Sequence, residues 1–168
     1  MEKTLCESTL EVEYVPMAFR TPETDLDERS FWGPERWVRI KQQAEKLGLT
    51  IKKPVDAENS LIARRAFPSY TGVGLQEYIH GVLRAVFRDG IDISNPRAFM
   101  DYLQSEGVDV KPIIQSLEDP ATEARALQND MLWIKEKLRI LPTFSLGSER
   151  YAGMIDGRGL ENFILRYL

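Results

Sequence analysis

The stretch "RILPTFSLGSERYAG", Arg139–Gly153, decides how the chain is read. Thr143-Phe144-Ser145-Leu146 and Arg150-Tyr151-Ala152-Gly153 are short β-prone runs joined at Gly147-Ser148, a pair suited to the turn of a hairpin. Pro142 opens the first run. Proline has no N–H to give a strand ladder, so its place at the head of an apolar strand needs a reason.

Around this hairpin the residues read mostly as helices. "GPERWVRIKQQAEKLG", Gly33–Gly48, has Pro34 for a first turn, Gly48 for a stop, and Trp37, Ile40, Ala44 and Leu47 on one face. "NSLIARRAF" begins a helix capped by Asn59 or Ser60. The strongest pattern is "VGLQEYIHGVLRAVFRDG", where Leu75, Tyr78, Ile79, Val82, Leu83 and Val86 recur at helical spacing and Gly90 ends the run. "SNPRAFMDYLQSEG" starts on Asn95 and Pro96 and stops at Gly107. A short helix carries Val110, Ile113, Ile114 and Leu117. A longer one begins at Asp119-Pro120, with Ala124, Leu127, Met131, Ile134 and Leu138 on one stripe. A final helix carries Leu160, Phe163, Ile164 and Tyr167.

Upstream, "LEVEYVPMAF", Leu10–Phe19, sets Leu10, Val12 and Tyr14 against Glu11 and Glu13 and is read as a strand ending near Pro16. The polar "RTPETDLDERS" after it is a loop. One sheet covered by helices, with a helical block set between the first strand and the hairpin, accounts for this order.

Composition narrows the function. The 168 residues carry a net charge of −4, are 43% hydrophobic and 29% charged, and form no basic cluster, so neither nucleic acid nor an anionic membrane is an expected partner. No stretch approaches the ~20 apolar residues of a membrane span. The first residues, "MEKTLCESTLEVEY", lack the apolar core of a secretory signal, and a cytoplasmic protein is expected. A single cysteine, Cys6, excludes an intrachain disulfide and a C-x-x-C pair, and a single histidine, His80, gives little support to Cys/His metal-site spacings or a Ser-His-acid triad. Cys6 reads as a small hydrophobe or surface thiol, and His80 as a surface or half-buried side chain without a visible catalytic partner. In "SFWGPERW", Trp37 reads as core covered by Phe31 and Trp32, with a ligand lid as the rarer use of such a cluster. Asp92 and Asp101 read as solvated acids flanking helices.

Four stretches together resemble the DsbA-like branch of the thioredoxin superfamily, among the members that include 2-hydroxychromene-2-carboxylate isomerases and kappa-class glutathione transferases. "LEVEYVPMAFR" is similar to that family's second strand and the turn after it, and "AENSLIARRAF" to the start of its helical insertion. "LRAVFRDGIDISNPRAFMDYLQSEGVD" is similar to the middle of the insertion, and "LRILPTFSLGSERYAGMIDGRGLENFI" to its Pro-Thr-Phe strand, hairpin and last helix. Each motif is weak alone, and the match rests on their order across almost the whole chain.

The resemblance implies an α/β fold: one thioredoxin-like domain over residues 1–168 with a helical insertion at about 58–138. It implies that the Leu141–Pro142 bond is cis, although most bonds before proline are trans. Leu141, Pro142 and Thr143 would then face a glutathione or an extended peptide, while Asp156 and Arg158 in "GMIDGRG" would meet the ligand's charged end. The residues themselves equally allow a glycine-rich loop that caps the last helix.

The family's first strand and its C-x-x-C or Ser-containing loop belong ahead of "LEVEYV", where nine residues stand, so the expected sheet is truncated at its N-terminal side and no catalytic residue is assigned. The open edges that follow call for an upstream segment, a strand from a partner or a homodimer, or closure of the remaining strands on each other. Two functions fit. One is a thiol–disulfide oxidoreductase or a glutathione-dependent isomerase or transferase, acting on a small-molecule thiol or a protein thiol or disulfide. The other is a non-catalytic thioredoxin-like binding or assembly module. No cofactor is required by either, with glutathione the one that the resemblance admits.

Overall fold

The structure is a computed structural model that describes residues 12–16, 34–54, 60–136, 138 and 140–166. In chain order these form helices α1 (Pro34–Lys46), α2 (Leu61–Ala66), α3 (Gly72–Leu83), α4 (Pro96–Ser105), α5 (Lys111–Glu118) and α6 (Pro120–Lys135). Strands β1 (Thr143–Leu146) and β2 (Glu149–Ala152) and helix α7 (Gly157–Leu165) follow. The strands make a two-stranded antiparallel sheet, so the fold is α/β and rich in helix.

Helix boundaries follow local chemistry. Asn95 caps α4 through its side-chain oxygen, which accepts from the Arg97 and Ala98 amides at 3.1 Å. At its other end the Gly107 amide donates to the Gln104 carbonyl and the Val108 amide to that of Leu103, with Gly107 at φ +82°. This paired closure needs a left-handed residue, which glycine adopts without steric cost. Gly48 ends α1 the same way. Ser60 precedes α2 but does not cap it; its hydroxyl accepts from Arg64 Nε instead. Asn59, the other expected cap, lies outside the described residues.

The core lies within the helical block. Tyr78, Phe99, Leu103 and Ile113 are almost completely buried, with Ile62, Ala63, Ala66, Ala85 and Val108 around them. Tyr70 stacks on Tyr78 with ring centroids 4.0 Å apart. The Tyr78 hydroxyl donates to the Ala63 carbonyl and that of Tyr70 to the Asp109 carbonyl, so neither polar tip is stranded. Burial pushes both phenols well above the ordinary tyrosine range, and both stay neutral donors. At Gly81 a Cβ would meet Leu103 Cδ2 at 2.7 Å, which places the closest approach of α3 to the end of α4 at a residue without a side chain.

Four sequence expectations are corrected. Residues 12–16 form no strand, and Val12, Tyr14 and Val15 are exposed; the rest of Leu10–Phe19 lies outside the described residues. Alternation makes a strand only where a neighbour supplies the ladder, and no described residue does so here. Leu83 is exposed, because after α3 the chain widens into a π-helical segment, Arg84–Asp89, that shifts the register and buries Ala85. In α6 the apolar stripe faces outward: Leu127 is 50% exposed and Met131 52%, while Ala126 and Asp130 are buried. The reason is Arg64. Its guanidinium lies buried on α2 and donates to both carboxylate oxygens of Asp130, at 2.5 and 2.6 Å, and to the Ala126 carbonyl. A buried charge without its partner costs more than an exposed leucine and methionine, so the ion pair sets which face of α6 turns inward. Leu47, expected on the buried face of α1, lies beyond its last residue and is exposed.

Candidate functional site

Pro142, where a site is expected, lies where the helical block hands over to the hairpin. The Leu141–Pro142 peptide bond is cis. Pro142 precedes β1 rather than lying in it, and its carbonyl accepts from the Gly153 amide at 2.8 Å, closing the hairpin base. The Thr143 hydroxyl donates to the Ile140 carbonyl at 2.6 Å, which pins the turn on the other side. Leu141, between these anchors, is 38% exposed, and its backbone N–H and C=O make no hydrogen bond to any described residue.

Asp156 and Arg158 stand at the start of α7. One Asp156 carboxylate oxygen accepts from the Gly159 amide at 2.7 Å, so the residue works as the helix cap, and the negative charge also suits the positive end of the helix dipole. Arg158 is exposed on the first turn. Behind them a groove of about 420 Å³ runs between β2 and α7, lined by Tyr151, Met154, Ile155, Asp156, Phe163 and Arg166 among others. Asp156 is the one residue of the five expected site residues that lines it. Leu141, Pro142, Thr143 and Arg158 do not.

Among the described residues no group of three or more histidine, cysteine, aspartate or glutamate side chains could hold a metal ion. No described helix is long and apolar enough to cross a membrane. Cys6 and the pair Phe31-Trp32 lie outside the described residues. His80 is exposed on α3.

The strongest electrostatic cluster is one that sequence reasoning passed over. Glu106 accepts from Arg84 Nε at 2.7 Å and from Arg88 at 2.9 Å, and Asp89 accepts from the Tyr102 hydroxyl at 2.6 Å and from Arg88 Nε at 2.8 Å. The Tyr102 hydrogen bond, and behind it Arg88, holds the Asp89 carboxyl below the usual carboxylate range. The Lys52 amide donates to the Phe87 carbonyl. These contacts bind the widened π-helical segment to α4, and every charge in them has a partner, which makes the cluster a brace rather than a reactive site. Arg65 is a second brace. It donates to the Ser116 and Leu117 carbonyls at the end of α5 and to Glu123 on α6. The only sequence signal for either was arginine inside helical runs otherwise built of small and apolar residues, "LIARRAF" and "LRAVFRD".

No family model matches the chain, and no curated protein matches it. Among solved structures it is similar to a 2-hydroxychromene-2-carboxylate isomerase, with 21% sequence identity and a TM-score of 0.61. The similarity covers 79% of this chain and 63% of that one, so the chain spans less than two thirds of its structural neighbour. The likeness is one of fold alone: in this chain a helical block is followed by a hairpin and a last helix.

Proposed function

We propose that this chain is a thioredoxin-like binding module that grips glutathione, or an extended cysteine-bearing peptide, along Leu141, Pro142 and Thr143. The observation that supports this reading is Leu141, 38% exposed, whose backbone donor and acceptor have no partner among the described residues. A ligand with a peptide main chain satisfies such a pair by strand-like addition. Glutathione and a protein segment share that chemistry and differ at their charged ends. For glutathione, Arg158 takes a carboxylate, while Asp156, already accepting from Gly159, offers its second oxygen to the amino group. A reducing cytoplasmic setting suits this ligand.

Binding without turnover is preferred because the described residues hold no thiol. A second reading, a thiol–disulfide oxidoreductase or a glutathione-dependent isomerase or transferase, is favoured by the fold likeness to an isomerase. In that reading the attacking thiolate comes from bound glutathione or from a segment outside this chain.

Calorimetric titration with reduced glutathione, run beside an insulin-reduction assay, separates the two. The module predicts saturable heat, weakened about tenfold or more by Arg158→Ala at a cost of about 1.4 kcal/mol, and no insulin reduction. Insulin reduction that disappears in Cys6→Ser would replace the module with the oxidoreductase. No binding of glutathione or of a cysteine-bearing peptide would remove the ligand assignment.

A further inference from the structure

We propose that Arg150 is a positioning residue for the ligand site at Leu141: it fastens the end of α6 to β2 and so holds Leu141 in place for a peptide main chain. The inference rests on the reading of Leu141, Pro142 and Thr143 as a ligand site. It adds a residue that acts through the backbone and touches no ligand itself.

The chain that runs from α6 to β1 is tied to the β2 side of the hairpin at two points. Glu136 follows α6, and its amide donates to the Leu132 carbonyl at 2.7 Å, which continues the last turn. Arg150, the partner of Ser145 in the hairpin register, reaches this turn with two nitrogens of its guanidinium. One donates to the Glu136 carbonyl at 3.0 Å and the other to the Glu136 carboxylate at 2.5 Å. The second tie is at Pro142, whose carbonyl accepts from the Gly153 amide. Leu141 lies between the two, immediately before the second. Chain fixed at both ends visits fewer conformations than chain fixed at one. A ligand that meets Leu141 already in place has less ordering to supply when it binds.

The chemistry suits an arginine. A carbonyl at the end of a helix and a carboxylate beside it are two acceptors, and one planar guanidinium serves both. Its charge also stands at the negative end of the α6 dipole. The Arg150 hydrogen bond first, and then its charge, hold the Glu136 carboxyl below the usual carboxylate range, so the pair is fully charged at neutral pH. Arg150 is 44% exposed and Glu136 41%. An ion pair so exposed contributes little to overall stability. What this one supplies is the place where the end of α6 meets β2.

The test is calorimetric titration of the full chain with reduced glutathione, beside nitrogen-15 relaxation of the Leu141 amide. Arg150→Met should bind about threefold to fivefold more weakly, the range open to an exposed pair. The Leu141 order parameter should fall from about 0.85 toward about 0.6, with the circular dichroism spectrum and urea midpoint unchanged. Arg150→Lys keeps the charge without the fork and should fall between. Adding Glu136→Gln to Arg150→Met should cost nothing more, because the partner is already gone. Unchanged affinity in Arg150→Met overturns the proposal and leaves the ligand site standing. So does a double variant whose loss is the sum of two independent ones. If the wild-type chain binds no glutathione, the ligand reading fails first, and the Leu141 order parameter alone decides the tie: a fall in Arg150→Met upholds it, and no change overturns it.

Discussion

The helical block and the hairpin with α7 are built from similar proportions of apolar residues, yet one closes a core and the other does not. Residues 61–135 hold Phe99, Leu103 and Ile113 fully shielded and a buried Arg64–Asp130 pair. In residues 140–166 no side chain reaches full burial, and β2 is exposed along its length. The difference lies in where backbone hydrogen bonds go. A helix satisfies its own and has only an apolar stripe to cover, whereas a strand depends on neighbouring strands, and a two-stranded ribbon has little face to bury. Among the described residues the hairpin has no third strand, while the helical block closes a core.

The comparison can be broken most directly with one substitution in each region. Phe99→Ala should destabilise the protein by about 3–5 kcal/mol, because it opens a cavity in a core that cannot collapse around it. Phe144→Ala should cost about 1 kcal/mol, since the ring is only half-buried. Urea unfolding followed by circular dichroism reads both. Equal losses would mean that the hairpin is as well packed as the block.

A smaller effect sharpens the role of the ion pair. Asp130→Ala should lose about 3 kcal/mol, because Arg64 is left charged and buried without its carboxylate. The double variant Arg64→Met with Asp130→Leu should recover most of that loss, and α6 would then be free to turn its Leu127–Met131 stripe inward. Loss of 1-anilinonaphthalene-8-sulfonate binding to that stripe would report the turn.

The smallest effect is electrostatic. The Asp89 carboxyl is held low by the Tyr102 hydroxyl first and Arg88 second, so its folded form titrates below its unfolded form. Its contribution to stability is therefore present above the ordinary carboxylate range and lost as pH falls through the folded value. Tyr102→Phe should move the Asp89 titration, followed by carbon-detected nuclear magnetic resonance, up toward the ordinary range. Less stability would then be lost on acidification. An unmoved titration would show that Arg88 alone sets it.

Much of this was legible in the residues because it is local. Asn95, Gly48, Gly90 and Gly107 mark helix ends by hydrogen bonds within a few residues of themselves. Gly147-Ser148 marks a hairpin for the same reason. The order of elements around Pro142 was enough to suggest the fold that the structural likeness supports. The candidate ligand residues were less legible. Asp156 could be read as a cap or as a ligand contact, and the geometry puts its carboxylate on the Gly159 amide.

By itself, then, the sequence determined where helices start and stop and where the chain turns. Only the tertiary structure decided which faces are buried. Arg64 and Asp130 are 66 residues apart, and no periodicity within α6 records that their pairing outweighs its apolar stripe. The extended pattern at residues 12–16 has no partner strand among the described residues, and its sequence could not show that. A ladder belongs to two strands, and one strand's alternation carries no information about whether the other is there.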